Sequence, residues 1–93
     1  MTSAGSATRQ ADEAGTRSLA DLTSGAVARI VRVVAPVPAL AGRLADLGFT
    51  AGTEVLVGRR APLGDPVIYR LKDYEVALRR ALAQCVQVSE VPR

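Results

Sequence analysis

Histidine and tryptophan are absent from these 93 residues, and cysteine occurs once, as Cys85. Without imidazole the chain lacks the commonest general base and the commonest transition-metal ligand, and a lone thiol builds neither a disulfide framework nor a thiolate metal cage. A free thiol suits a reducing compartment. Aromatic residues are nearly as scarce, Phe49, Tyr69 and Tyr74 being the full set. Long apolar runs are missing as well: Arg29, Arg32, Pro36 and Pro38 break the richest stretch, far short of a membrane span, and the N-terminus lacks the apolar segment of a secretory signal. Neither sign of charge dominates, with 12 basic and 9 acidic residues giving +3, the basic ones spread from Arg9 to Arg93 rather than massed. These absences predict a soluble cytoplasmic protein with no membrane insertion, no resident cofactor and no strong pull toward nucleic acid.

What is present is an apolar fraction of 48%, mostly Ala, Val and Leu, enough for one compact domain with a modest aliphatic core. Residues 1–17 are rich in Ser, Thr, Gly and Ala and hold no large aliphatic residue after Met1. Such a segment buries too little surface to offset the entropy of ordering it, so it reads as a disordered tail, and the folded domain spans 18–93.

Ser18 is placed to cap a short turn over Leu19–Leu22, with Asp21 at its positive end. From Ala26 to Ala35 the β-branched, nearly alternating pattern predicts a strand. Pro36 and Pro38 close it, and Leu40, Leu44 and Leu47 at helical spacing predict a helix of about two turns over Ala39–Leu47. Gly48 is expected to stop that helix in a left-handed conformation, with Phe49 packing back on it, and Gly52 to turn the chain into a strand over Thr53–Arg60. The cluster Ala61–Pro66 then links to a strand at Val67–Leu71. Lys72, Asp73 and Tyr74 form a further turn, followed by a short strand Val76–Leu78, a helical turn Arg79–Gln84 and a last strand Cys85–Val91. Parallel neighbours would need a long crossover after each strand. The fold class is therefore mainly β with short helices: a small antiparallel barrel of five strands and one helix.

Several stretches resemble the FeoA family in order and spacing. They are L-x-x-L at Leu19–Leu22, RLADLGF at Arg43–Phe49, AGTEV at Ala51–Val55, RRAPLGDPVIYRL at Arg59–Leu71 and YEVALRRALA at Tyr74–Ala83. The resemblance implies an SH3-like barrel, for which transition-metal-ion binding is a family-level association. It also implies a role as a small cytosolic accessory of bacterial ferrous iron uptake, an interaction module on the GTP-hydrolysing transporter FeoB. A related barrel ends the metalloregulators of the diphtheria-toxin-repressor type, so a regulatory or nucleic-acid-binding small barrel is the alternative. One departure is Asp73, where the turn before Tyr74 commonly has Gly; Asp is among the residues that best tolerate positive φ.

No catalytic constellation is present: there is no His base, no paired acid in a short motif and no Gly-rich loop opening a helix. The chain is expected to bind rather than catalyse. The leading docking candidate is Pro62, Leu63, Gly64, Asp65 and Pro66, where an apolar side chain stands between rigid prolines, against the plainer reading of a hairpin turn with Leu63 folded onto the barrel. Arg43 could reach a partner's nucleotide, but a solvated pair with Asp46 is the stronger reading. Pro36, Val37, Pro38 and Leu40 could form an apolar groove, with Leu40 more at home in the core. Gly48 and Gly52 are read as structural turns. Asp65, Asp73 and Glu75 lack soft-ligand companions and predict no metal site. Cys85 is expected to be a packed, inert thiol. A solvated face, not nucleic acid, is the expected role of Arg29, Arg32, Arg59, Arg60, Arg70, Arg79 and Arg80. Self-association, where it occurs, is expected to be weak.

Overall fold

The computed structural model describes residues 16–92, and the expected tail lies outside them except for Thr16 and Arg17. The elements are β1 (Thr16–Ser18), a 3-10 turn (Leu19–Asp21), β2 (Val27–Val33), α1 (Pro38–Asp46), β3 (Glu54–Arg60), β4 (Val67–Leu71), β5 (Tyr74–Leu78), α2 (Arg80–Ala83) and β6 (Val86–Glu90). One antiparallel sheet holds all six strands in the order β1-β6-β2-β3-β4-β5.

Two expectations change. The sheet has six described strands instead of five, because Thr16, Arg17 and Ser18 pair with Ser89, Val88 and Gln87. Thr16 and Arg17 thus belong to the domain. The turn at Lys72 and Asp73 is also tighter than expected, so Tyr74 already stands in β5, and the left-handed residue is Lys72 (φ 52), not Asp73.

Alternation along the strands decides what is buried. Ala28 and Ile30 from β2, Val55 and Val57 from β3, Val67, Tyr69 and Leu71 from β4, and Val86 and Val88 from β6 all turn inward. Leu19 and Leu22 close one end of this core, while Leu44 and Phe49 cover another part. No charged side chain among the described residues is buried in it. Two irregularities curl the sheet, one between Ile30 and Arg32 against β6 and one between Val57 and Arg60 against β4. Gly58 sits at the second, where a Cβ would lie 2.8 Å from the Ile68 carbonyl oxygen, so only glycine lets β3 and β4 approach this closely there.

Helix α1 begins with Pro38, whose lack of an N–H costs nothing there, since a donor at that position would have no partner within the helix. Its C-terminus is a Schellman arrangement: the Phe49 N–H donates to the Leu44 carbonyl and the Gly48 N–H to that of Ala45, with Gly48 at φ 104. Phe49 is thereby drawn onto Leu44 and meets Tyr69 edge to face at 6.4 Å.

Candidate partner-docking site

The segment Ala61–Pro66 leaves the sheet between β3 and β4 and is fastened at its base. The Ala61 N–H donates to the Pro66 carbonyl and the Gly64 N–H to the Ala61 carbonyl, at 2.9 and 2.7 Å. The Asp65–Pro66 peptide is cis. A third tie spans the fold: the Asp65 carboxylate accepts the backbone N–H of Arg80 at 2.9 Å. That N–H opens α2, and the preceding Arg79 supplies no side-chain cap, so Asp65 satisfies from a distance a donor the short helix leaves unpaired.

Held in this frame, Leu63 is 96% exposed. The reading in which it folds onto the barrel does not describe this loop. Pro62 is exposed beside it, while Gly64 and Pro66 are half-buried. Under the loop a groove of about 260 Å³ is lined by Arg59, Arg60, Ala61, Pro66 and Ile68. Arg60 has a second task, donating to the Leu22 carbonyl and so holding the turn after β1 against the end of β3. The sequence reading passed over Ile68 and Ala61; the alternation of β4, with Val67 and Tyr69 inward, would have placed Ile68 outside.

The remaining candidates lie elsewhere. Arg43 and Leu40 stand on α1, and no hydrogen bond or ion pair among the described residues joins that helix to the loop. Arg43 is exposed, and its expected pair with Asp46 is not among the described ion pairs, which are Arg17–Glu90, Arg29–Glu54, Arg70–Glu75 and Arg80–Asp21. Leu40 is half-buried instead of core, because only Leu44 of α1 reaches the interior. The neighbouring Val34, Pro36, Val37 and Pro38 are all exposed and make a second apolar surface. Gly52 turns at φ 90, and its N–H donates to Ile30. Cys85 is buried and donates weakly to the Ala81 carbonyl at 3.6 Å.

Electrostatically the surface is a patchwork of local pairs. Of the arginines that could have formed a basic face, Arg29, Arg70 and Arg80 meet carboxylates, Arg32 donates to Gln87 and Arg60 to a carbonyl. Asp65, Asp73 and Glu75 do not converge with others into a metal-sized group, and no cluster of three or more His, Cys, Asp or Glu occurs among the described residues. No described helix is long and apolar enough to cross a membrane. A second concavity, about 480 Å³, lies on the outer face of β2, β3 and β4 against Val27, Leu56 and Arg70.

A curled six-stranded antiparallel sheet around one aliphatic core, with a rigid exposed loop, is a small SH3-like module. The chain belongs to the FeoA domain family, whose model matches residues 17–90. It is 41% identical over 70 residues to the Fe(2+) transport protein A/Fe(2+) transporter FeoB fusion protein of Porphyromonas gingivalis, covering 75% of this chain and only 8% of that protein. Among solved structures, the FeoA protein of Chlorobium tepidum superposes with TM-score 0.74 at 35% identity, covering 81% of this chain and 70% of that one. FeoA of Stenotrophomonas maltophilia complexed with zinc, described as a procaryotic SH3 domain protein, superposes with TM-score 0.69 at 31% identity over 76% and 87%.

Proposed function

We propose that this protein is a cytosolic, non-catalytic accessory of ferrous iron uptake that works by docking its Pro62–Pro66 loop onto a FeoB-type, GTP-hydrolysing transporter. The observation that carries the reading is Leu63: a large aliphatic side chain almost wholly exposed on a loop tied down on both sides and capped into α2. Burying it in a partner would gain about 2 kcal/mol of transfer free energy. Little ordering entropy opposes that gain, because the loop is already fixed. The Porphyromonas gingivalis relative, in which a similar domain is part of one chain with a FeoB transporter, supports the choice of partner. The dispersal of arginines into local pairs leaves little for a nucleic-acid backbone to neutralise.

The test is a pull-down of the full chain with the purified cytosolic domain of the transporter from the same genome, with and without a GTP analogue, beside Leu63→Asp. Binding by the wild-type chain that is lost in Leu63→Asp, with the melting temperature unchanged, is the expected result. Equal binding by both would remove the loop from the interface, and no binding in any nucleotide state would overturn docking to that domain.

A further inference from the structure

Among the described residues, strand β5 forms one end of the sheet and pairs with β4 alone. Leu71 and Tyr74 flank the two-residue turn and close the hairpin, so the pairs that exchange hydrogen bonds are Leu71–Tyr74, Tyr69–Val76 and Val67–Leu78. The N–H and C=O groups of Glu75 and Ala77 therefore point away from the sheet, and neither residue makes a backbone bond to another element among the described residues. Both residues are exposed. The opposite edge is blunted, since β1 is three residues long and its Arg17 is ion-paired to Glu90. Strand β5 has no proline, no lysine and no bulge in its pairing, and its one charge, Glu75, is taken up by Arg70 of β4.

We propose that β5 is a self-association edge, pairing antiparallel with β5 of a second copy of this chain about a twofold axis at Val76. The occupant follows from the sequence around that axis. Centring the pairing there sets Glu75 opposite the partner's Ala77 and Ala77 opposite the partner's Glu75, each pair exchanging both of its free backbone bonds. No like charges are opposed in these pairs. Two places further out, the same register sets Asp73 opposite the partner's Arg79. Arg79 is still extended (φ -65, ψ 148) and exposed, Asp73 is exposed, and neither side chain has a hydrogen bond or ion pair among the described residues. Each charge left single in the monomer thus meets its opposite, two such pairs per dimer, and Glu75 has the partner's Arg79 on one diagonal and the partner's Glu75 on the other. The contact buries little apolar surface, so it is reversible and weak. It does not depend on the transporter reading.

The experiment is sedimentation equilibrium of the full chain over a concentration series, with amide exchange followed residue by residue. The expected result is a concentration-dependent dimer in which the Glu75 and Ala77 amides gain protection and that of Lys72 does not. Asp73→Arg and Arg79→Asp should each weaken the dimer by about tenfold or more. Mixed in equal amounts, the two variants should associate more tightly than either alone, because every reversed charge then faces an opposite one directly across the pairing. A chain that stays monomeric up to about 1 mM, beyond the range of a specific transient contact, overturns the proposal. So does a dimer in which Glu75 and Ala77 exchange as in the monomer, or a mixture that associates no better than either variant alone.

Discussion

At Gly48 two constraints act on one position. Its φ of 104 lies where an L side chain is strained, and an added Cβ would collide with the Tyr74 hydroxyl, which itself donates to the Leu47 carbonyl at 2.8 Å. Gly48→Ala should therefore cost about 2–3 kcal/mol, from backbone strain and the displaced tyrosine together. Chemical denaturation measures this loss, and adding Tyr74→Phe should recover part of it, because the colliding atom is the hydroxyl. A cycle showing no coupling would mean that strain alone sets the cost. Tyr69 gives a second residue-level expectation. Burial pushes its phenol above the ordinary value near 10, outweighing the opposing pull of Arg60 and Arg80, with Asp65 adding a small upward push. The folded state then holds the proton that the unfolded chain releases. The stability this provides is complete below about pH 10 and is lost as pH rises from there through the folded value. Alkaline unfolding curves should show that loss, and Tyr69→Phe should flatten it.

Among the elements, the two helices show opposite solutions to the same problem of unpaired N-terminal donors. Helix α2 borrows Asp65 from a loop fifteen residues away in sequence, so Asp65→Ala should destabilise the fold by about 1 kcal/mol and loosen the Ala61–Pro66 loop, while Asp65→Asn keeps an acceptor and most of the effect. If Leu63 docks as proposed, Asp65→Ala should weaken transporter binding although Leu63 is intact; unchanged affinity would show that loop order does not matter. Helix α1 has no such help, since Val37 occupies its cap position without a side-chain bond. Val37→Asp, at an exposed site, should raise stability by about 1 kcal/mol in a denaturant titration. The helix positions were legible from Pro38, the leucine spacing and Gly48, because local sterics and periodicity decide them. The Asp65 tie was not, because a cap supplied across the fold leaves no trace in spacing. Lys72 shows the same limit on a smaller scale: either central residue of a two-residue turn can take the left-handed conformation, and the twist of β4 and β5, not side-chain preference, selects which.

For the molecule as a whole, the aliphatic core was written in the alternation along Val27–Val33, Glu54–Arg60 and Val67–Leu71, and the antiparallel order in connections too short for parallel crossovers. The Ala61–Pro66 loop was legible as a turn from its prolines and glycine, but the exposure of Leu63 depends on the ties that hold the loop off the barrel. The strand at Thr16–Ser18 was not legible, because these residues are too few and too polar to signal one, and what makes them a strand is β6, more than sixty residues later. That strand yields a whole-molecule prediction. A chain beginning at Thr16 keeps β1, the Arg17–Glu90 pair and the Ser18 side chain that accepts the Ala20 N–H, so it should melt with the full-length protein and bind the transporter equally well. A chain beginning at Leu19 loses all three, at a cost of about 2 kcal/mol from the cap and the ladder. It also bares the edge of β6, a central-length strand with Val86 and Val88 in the core, and so should aggregate on heating where the longer fragment refolds. Paired melting and light-scattering curves for the two fragments decide it: if the shorter one melts reversibly at the same temperature, β1 is an ornament on the sheet, whereas a lowered and irreversible transition makes it the guard of that edge, leaving β5 as the edge open to a partner.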